Sequence, residues 1–441
     1  MRTAPPLGRR LAVLTFGCKV NQYESAYLAE QAEAAGWQLA TPETADLIVI
    51  NSCTVTGRAD RQVRQALRQA GRRQPPPRLV VTGCSAQRAP EEITGFPGVQ
   101  AVLGNAAKAS WPEIAARLRW DPQPWQQVSP MDLCRRFQPL PIRQFVGHTR
   151  AFVKIQDGCG HHCSYCIVPT VRGPERSLPA DQVVQQVQHL VKGGCREVVL
   201  TGINLSRYGS DLTASASLAT LCRTLQTTPG LARIRLSSLE PLDITIDLLN
   251  TLEDWPQFCS HFHVPLQSGS DEVLGAMGRP YRAAWFAELL QEMRRRFPTA
   301  AIGLDVMVGF PTETAAAYAR TRELLAGLPL TYLHVFPYSP RPGTPAATLT
   351  PQVDHRQIRA WARDLRTLAE AKKRDFYQRQ LGRVVEVLVE GEVAGQPGMV
   401  TGLTANYLRV HCPGPSAWAN RVVRVRLEKL SGPVLFGVPV T

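Results

Sequence analysis

The sequence predicts an α/β protein in three parts: an N-terminal open parallel sheet covered by helices, a central incomplete (β/α)6 barrel, and a small antiparallel β-barrel at the C-terminus. Three observations predict it. Short apolar runs rich in Leu, Val and Ile alternate with helical stretches from Arg10 to about Pro340, the rhythm of βαβ units. The rhythm breaks near Trp120 in a proline-rich stretch without periodicity and resumes at Ala151 on a longer scale. After Gly382 the apolar period changes from that of a helix to that of a strand. At 441 residues the chain exceeds one ordinary core, and 44% hydrophobic with 20% charged residues is ordinary for a globular protein. The expected parts are 9–119, a linker 120–147, 148–376 and 377–441.

In the first part, LAVLTFG, DLIVINS and RLVVTG read as parallel strands, and each run ends on a cysteine: Cys18, Cys53 and Cys84. Equivalent ends of parallel strands share one edge, where ligands bind, so these three should converge in space. One such cysteine would be a packing residue, because free cysteine is among the most buried types. Three in matching places point to a cluster-binding site rather than coincidence. The helix that follows Cys53 carries Arg58, Arg61, Arg64, Arg68 and Arg72 at steps of three and four, so they share a face. Asp60 is the only acid in that stretch, which favours a phosphate backbone over plain solvent as the neighbour of this face. Cys134, in the expected linker, has no partner at metal-ligand spacing.

In the second part AFVKIQ, EVVLTGIN, RIRLSS, FHVPLQ, AIGLDVMVG and YLHVFPY are strand candidates. Amphipathic stretches such as Pro179 to Val191 and Arg282 to Phe297 lie between them. Six units suggest an incomplete barrel, whose chemistry sits at the carboxyl ends of the strands. After the first strand comes QDGCGHHCSYCIVPTVRG, with Cys159, Cys163 and Cys166 spaced C-x3-C-x2-C. Three thiolates on one loop can grip a 4Fe–4S cluster and leave one iron open to a substrate or cofactor. The alternative is a zinc site with His161 or His162 as fourth ligand. The later strand ends are polar or glycine-rich, and Thr201, Ser238, Glu240, Gln267 and Asp305 on or beside them are candidate contacts for a zwitterionic nucleoside. Turns need the same residue types, which is the competing explanation. Cys195, Cys222, Cys259 and Cys412 read as small core residues. His263 reads as a satisfied core histidine or a ligand contact.

The stretch Gln352 to Arg383 is helical in pattern and basic, with Arg356, Arg359, Arg363, Arg366, Lys372, Lys373 and Arg374. The alternating segments beyond it predict a small barrel of a kind that often holds looped RNA. A formal net charge of +14 likewise suggests a polyanionic partner, nucleic acid first. No run of about 18 apolar residues is present and no apolar signal region opens the chain, so no membrane partner is expected. Eleven cysteines without a secretion signal imply a reducing compartment, the cytoplasm.

Together these motifs resemble the methylthiotransferase branch of the radical S-adenosylmethionine (SAM) enzymes. The resemblance rests on the Cys18, Cys53, Cys84 triad, the loop QDGCGHHCSYCIVPTVRG, the later HVPLQSGSDEVL and DVMVGFPTET, and a terminal barrel similar to a TRAM domain. It covers nearly the whole chain from Arg10. It implies two 4Fe–4S clusters, one on Cys159, Cys163 and Cys166 that reductively cleaves SAM, and one on Cys18, Cys53 and Cys84 that carries the sulfur to be inserted. GCKVNQYES and NSCTVT are similar to the members that act on carbon 2 of N6-threonylcarbamoyladenosine beside the tRNA anticodon. Those acting on isopentenyladenosine typically read GCQMN there, and those modifying a ribosomal protein read nearer GCPKN; both remain alternatives. The resemblance further implies tRNA, contacted at its anticodon loop, an electron donor such as flavodoxin or ferredoxin, and a sulfur source as partners. A different class, a non-catalytic metal-cluster RNA-binding protein, would have no use for six units ending in polar loops.

Overall fold

The computed structural model describes residues 10–118, 123–143, 145 and 149–440. The first part is a six-stranded sheet of β1 (Arg10–Thr15), β2 (Gln38–Leu39), β3 (Leu47–Ser52), β4 (Arg78–Gly83), β5 (Val99–Leu103) and β6 (Trp125–Gln127). All pairs are parallel, in the order β2-β1-β3-β4-β5-β6. Every residue of β3 and β5 is buried, as strands covered on both faces require. Leu47 and Val49 pack on one side of the sheet, Ile48 and Ile50 on the other, so alternation along one strand serves two cores.

Three of these strands, β2, β5 and β6, are absent from the sequence reading. β6 falls inside the expected linker, where Trp125 stacks under the Arg117 guanidinium at 4.3 Å. Leu140 and Ile142 from the same stretch are buried in the main core. The stretch has no period because its packing sites are set by neighbouring elements, and three residues of edge strand are too few to show one. Positions 9, 119–122, 144, 146–148 and 441, which include the expected boundaries 119/120 and 147/148 but not 376/377, lie outside the described residues.

The second part opens with β7 (Arg150–Lys154), then β8 (Gln156–Asp157) and β9 (Arg176–Ser177), a short antiparallel pair that pins both ends of the cysteine loop. β10 (Glu197–Thr201), β11 (Arg233–Leu236), β12 (His261–Gln267), β13 (Ala301–Val308) and β14 (Tyr332–Pro337) complete a parallel set. The ladders run β7-β10-β11 and β12-β13-β14, and bridges Ile234–Phe258 and Ser238–His263 join the halves into one open six-stranded barrel. Val264, Leu266, Ile302 and Leu304 pack outward among Phe286, Leu290 and Met293, so His261, His263, Asp305 and Tyr332 line the lumen. The helix Lys19–Ala34 of the first part packs on the free edge β7, and the helix His355–Gln378 packs on β14.

The third part is a closed barrel of β15 (Val384–Val393), β16 (Gln396–Thr404), β17 (Arg409–Pro413), β18 (Val422–Ser431) and β19 (Val434–Pro439). Its order is β15-β16-β17-β19-β18, with β17 and β19 parallel. The expected small antiparallel barrel thus contains one parallel pair, for five strands round a closed ring cannot alternate direction at every step. Its β16–β17 turn caps the N-terminal end of the larger barrel. Arg233 donates to the Leu403 carbonyl at 3.0 Å and Arg235 to that of Ala405 at 2.9 Å. The Tyr407 ring lies 4.8 Å from His261 and under Arg235 at 4.9 Å. The opposite end, where the strands finish, stays free for chemistry. No helix among the described residues is long and apolar enough to cross a membrane.

Candidate active site

At that free end lies the loop triad. Cys159 donates its backbone N–H to Gly173 at 3.0 Å and Cys166 to Cys163 at 3.0 Å, which folds the loop back on itself. Ser164 anchors it to the barrel through Oγ to the Ala276 carbonyl at 2.7 Å. Each sulfur faces a donor: Val168 N–H to Cys166 at 3.4 Å, the Arg279 guanidinium to Cys163 at 3.5 Å, and the Asn204 amide to Cys159 at 4.0 Å. Arg279 also pairs with Glu240, tying that sequence-predicted residue to the loop.

The first triad converges as strand register requires. Ser52 pairs with Gly83, so Cys53 and Cys84 follow neighbouring strand ends. Cys18 caps the helix Lys19–Ala34, and Gly17 before it has φ of +100°. A Cβ on Gly17 would lie 2.6 Å from Cys53 Cβ and 2.9 Å from its Sγ, so only glycine lets the two cysteines approach. Asn21 Oδ1 lies 3.8 Å from Cys18 Sγ, and the Asn105 amide 3.9 Å from Cys84 Sγ.

One side chain joins the triads. Arg172, at the end of the short helix after the loop cysteines, is fully buried and reaches into the first part. Its Nε donates to Cys84 Sγ at 3.3 Å, Nη2 to Asn21 Oδ1 at 2.6 Å and Nη1 to Glu24 Oε1 at 2.6 Å. Lys108 and Lys154 also meet Glu24, at 2.5 and 3.2 Å, while Lys154 and Arg176 meet Asp157 at 3.2 and 3.8 Å. Against its burial, Arg172, Lys108 and Lys154 hold the Glu24 carboxyl well below the usual range. Four cationic side chains thus share two carboxylates out of water. Burial opposes the Lys108 charge, yet cations still outnumber acids. Uncompensated buried charge is costly, so the network calls for an anion beside it.

The donor sets fit 4Fe–4S clusters on this evidence. Three thiolates with a cluster make the anionic group that the cation excess beside Cys84 requires. Burial pushes the thiols of Cys53 and Cys166 up to about 12 and Cys159 up to about 11, so a bound metal would have to displace their protons. Among the described residues only His263, Asp305 and His334 bring three ligand atoms within 4.8 Å of one another. Thiolates round one zinc ion at about 2.3 Å would lie closer than that, and the loop cysteines form no such close group among the described residues.

The five sequence-predicted nucleoside contacts are spread along the lumen. Glu240 stands beside the loop, and its backbone N–H donates to Ser206 Oγ at 2.7 Å. Thr201 is on the lumen side of β10 at 1% exposure, paired across to Lys154. Ser238 bridges to His263, and Gln267 ends β12 with φ of +72° at a register shift. Asp305 lies deeper, its Oδ1 accepting from His263 at 2.8 Å and His334 at 3.1 Å. Burial would raise this carboxyl, but the two imidazoles hold it at about 2. His263 is therefore a satisfied lumen histidine. With His334 and Asp305 it could also gather round a divalent ion.

Sequence reasoning missed the charges between the triads. Glu24 carried a signal: with Val20 and Leu28 it forms an i, i+4 stripe that is otherwise apolar, so a carboxylate sits where the helix packs. Arg172 carried none. The arginine face on Gly57–Gly71 is also altered. Arg64 pairs with Glu92 at 2.8 Å, and Asp60 turns inward to Arg341 at 2.6 Å. Glu92 is remote in sequence, so the expected free face loses one cation only in three dimensions.

Glu313, in the DVMVGFPTET segment, accepts the Gly309 N–H at 2.6 Å and shapes the turn after β13. Burial raises its carboxyl from the usual 4.5 to about 7. The folded form thus holds a proton that the unfolded chain gives up, so this group's effect is neutral below about pH 4.5 and increasingly destabilising up to about pH 7. Glu313→Gln is expected to remove roughly 3 kcal/mol of that pH-dependent loss. Melting temperatures at pH 5 and pH 8 check it: the variant should lose less than the parent on going to pH 8.

Comparison with known proteins follows the same division. Residues 10–104 match the uncharacterized protein family UPF0004, and residues 153–325 match the radical SAM superfamily. A threonylcarbamoyladenosine tRNA methylthiotransferase, MtaB, of Bacillus subtilis is 36% identical over 96% of this chain and 94% of its own. The MtaB of Rickettsia prowazekii is 37% identical over 86% and 88%. A tRNA-2-methylthio-N(6)-dimethylallyladenosine synthase of Thermus thermophilus is 34% identical over 97% and 91%. Among solved structures, the radical SAM methyltransferase TsrM of Kitasatospora setae, with cobalamin and a 4Fe–4S cluster bound, superposes with a TM-score of 0.55 at 15% identity, over 77% of each chain. That likeness concerns the fold.

Proposed function

The chain belongs to the tRNA methylthiotransferases of the radical SAM superfamily, and from that premise we propose that it inserts a methylthio group at carbon 2 of N6-threonylcarbamoyladenosine beside the tRNA anticodon. One observation carries the reading furthest: Cys84 of the first triad packs on Ile167 and Val171, directly after the loop triad, and takes a hydrogen bond from Arg172 at the end of the same short helix. Radical generation at one site and sulfur delivery at the other need that closeness. In this reading Cys159, Cys163 and Cys166 hold one cluster, and Cys18, Cys53 and Cys84 the other. When bound, the two 4Fe–4S clusters and SAM supply a radical able to open an unactivated carbon–hydrogen bond, a sulfur and a methyl group.

The chain's own residues then have separable tasks. Val168, Arg279 and Asn204 point donors at the loop sulfurs, while the Arg279–Glu240 pair keeps that guanidinium in place. Glu240, Thr201, Ser238, Gln267 and Asp305 remain our candidates for holding SAM, with Glu240 nearest the loop triad. The turn of the terminal barrel closes the far end of the lumen, so the adenine must come in at the end where the strands finish. The work is cytoplasmic, with an external electron donor such as flavodoxin or ferredoxin and a separate source of sulfur.

The test is anaerobic reconstitution with SAM, a reductant and tRNA carrying either threonylcarbamoyl- or isopentenyladenosine, followed by mass spectrometry of the nucleosides. Methylthiolation of the first substrate is expected. Product on the second alone would transfer the chain to the dimethylallyladenosine branch, and product on neither would overturn the reading.

RNA contact has a footing on the helix His355–Gln378, beside β14: a groove of about 630 Å³ lined by Arg359, Arg363, Arg366 and Arg374, with Glu370 its only acid. None of these arginines is ion-paired among the described residues, whereas the Gly57–Gly71 face has Arg64 neutralised. Exposed cations that lack acids favour a phosphate backbone. Replacing Arg359, Arg363 and Arg366 with Gln is expected to weaken tRNA binding and flatten its logarithmic salt dependence by about two. Binding isotherms at several salt concentrations check this; an unchanged slope would mean that the groove meets only water.

A further inference from the structure

The hydrogen bond from Arg172 to Cys84 is asymmetric between the two parts of the chain. Arg172 is covalently part of the loop-triad segment, yet all three nitrogens of its guanidinium reach the first part, at Cys84, Asn21 and Glu24, and only Nη1 also meets an acid of its own part, Asp157, at 3.4 Å. Its backbone is held in turn, since the Arg172 carbonyl accepts from Arg176 at 2.8 Å. Gly173 after it, at φ of +72°, fits where a Cβ would lie 2.3 Å from the Met131 carbonyl oxygen. The side chain is fully buried, so water cannot replace it.

An N–H donated to a ligating sulfur draws electron density from the metal, and a buried cation favours the more negative state of whatever sits beside it. Both effects stabilise the reduced cluster. The loop triad has no such surplus, because its guanidinium, Arg279, is balanced by Glu240. We propose that Arg172 is a positioning residue that raises the reduction potential of the cluster held by Cys18, Cys53 and Cys84, relative to the same site without it. The proposal rests on the assignment of a cluster to that triad. Reduction here adds one electron to the cluster, drawn from the titrant, and no bond is made or broken.

The test is a dithionite titration followed by electron paramagnetic resonance, in the full chain with Cys159, Cys163 and Cys166 replaced by Ala so that only the first site is loaded. Arg172→Gln combined with Glu24→Gln removes a cation and its acid together. The network keeps its net charge, and the donor to sulfur is lost together with the Arg172–Asn21 bond and the Glu24 charge facing Lys108 and Lys154. The expected result is a midpoint potential more negative than the parent's and an altered resonance, with the iron content of one cluster retained. In the reciprocal background, with Cys18, Cys53 and Cys84 replaced, the same pair of changes should leave the loop cluster's potential unmoved. An unchanged potential at the first site, or an equal shift at both, overturns the proposal. If the double variant fails to load iron, Arg172→Lys decides: iron restored with a more negative potential supports it, and a potential equal to the parent's overturns it. No tRNA enters the measurement, so failure to methylthiolate any tRNA would leave this outcome intact.

Discussion

Replacing Cys159, Cys163 and Cys166 together with Ala abolishes 5′-deoxyadenosine formation, while iron falls from about eight atoms per chain to about four. In the proposed function the loop is where SAM is chelated. It lies at the end of the barrel where the strands finish, and Asn204, Val168 and Arg279 aim their donors at its sulfurs. The first sheet lies outside this loop and keeps its own triad, so the remaining iron marks a chain that is still folded. Background-level cleavage of SAM, with iron quantified in the same sample, is the measurement. Retained cleavage would mean that another site binds SAM.

The complementary replacement of Cys18, Cys53 and Cys84 has an equally large effect on a different readout. SAM cleavage continues and methylthiolation of tRNA stops. Cys53 and Cys84 sit at adjacent strand ends, with Cys18 against Cys53 across Gly17, the closeness on which their proposed role as one cluster site rests. The loop triad keeps its Arg279–Glu240 pair and its anchor through Ser164. The variant leaves the Arg172 network with its cation excess and no anion, so somewhat lower thermal stability accompanies the loss. Product analysis beside 5′-deoxyadenosine counting separates the two activities. A variant that still loads two clusters would show that these cysteines hold none.

Much of this was legible along the chain. The cysteines after three strands, the C-x3-C-x2-C loop and the change of period beyond Gly382 are local patterns, and the three-part fold follows from them. The glycine before Cys18 was legible as a glycine only; its need appears when Cys53 packs against it. The linker was misread where Trp125, Leu140 and Ile142 bury themselves in sites made by other elements.

What the sequence determined by itself is therefore periodic: which residues face inward, where strands end, and hence which cysteines share an edge. Those follow from backbone geometry, which repeats along the chain whatever lies beyond it. What only the tertiary structure decided is the pairing of charges. Arg172 meets Cys84, Lys108 meets Glu24, Arg64 loses its freedom to Glu92, and Asp305 takes two histidines from flanking strands. No period encodes these partners. A charge removed from water must be compensated by whichever opposite group the fold brings within a few ångströms, and that choice belongs to three dimensions.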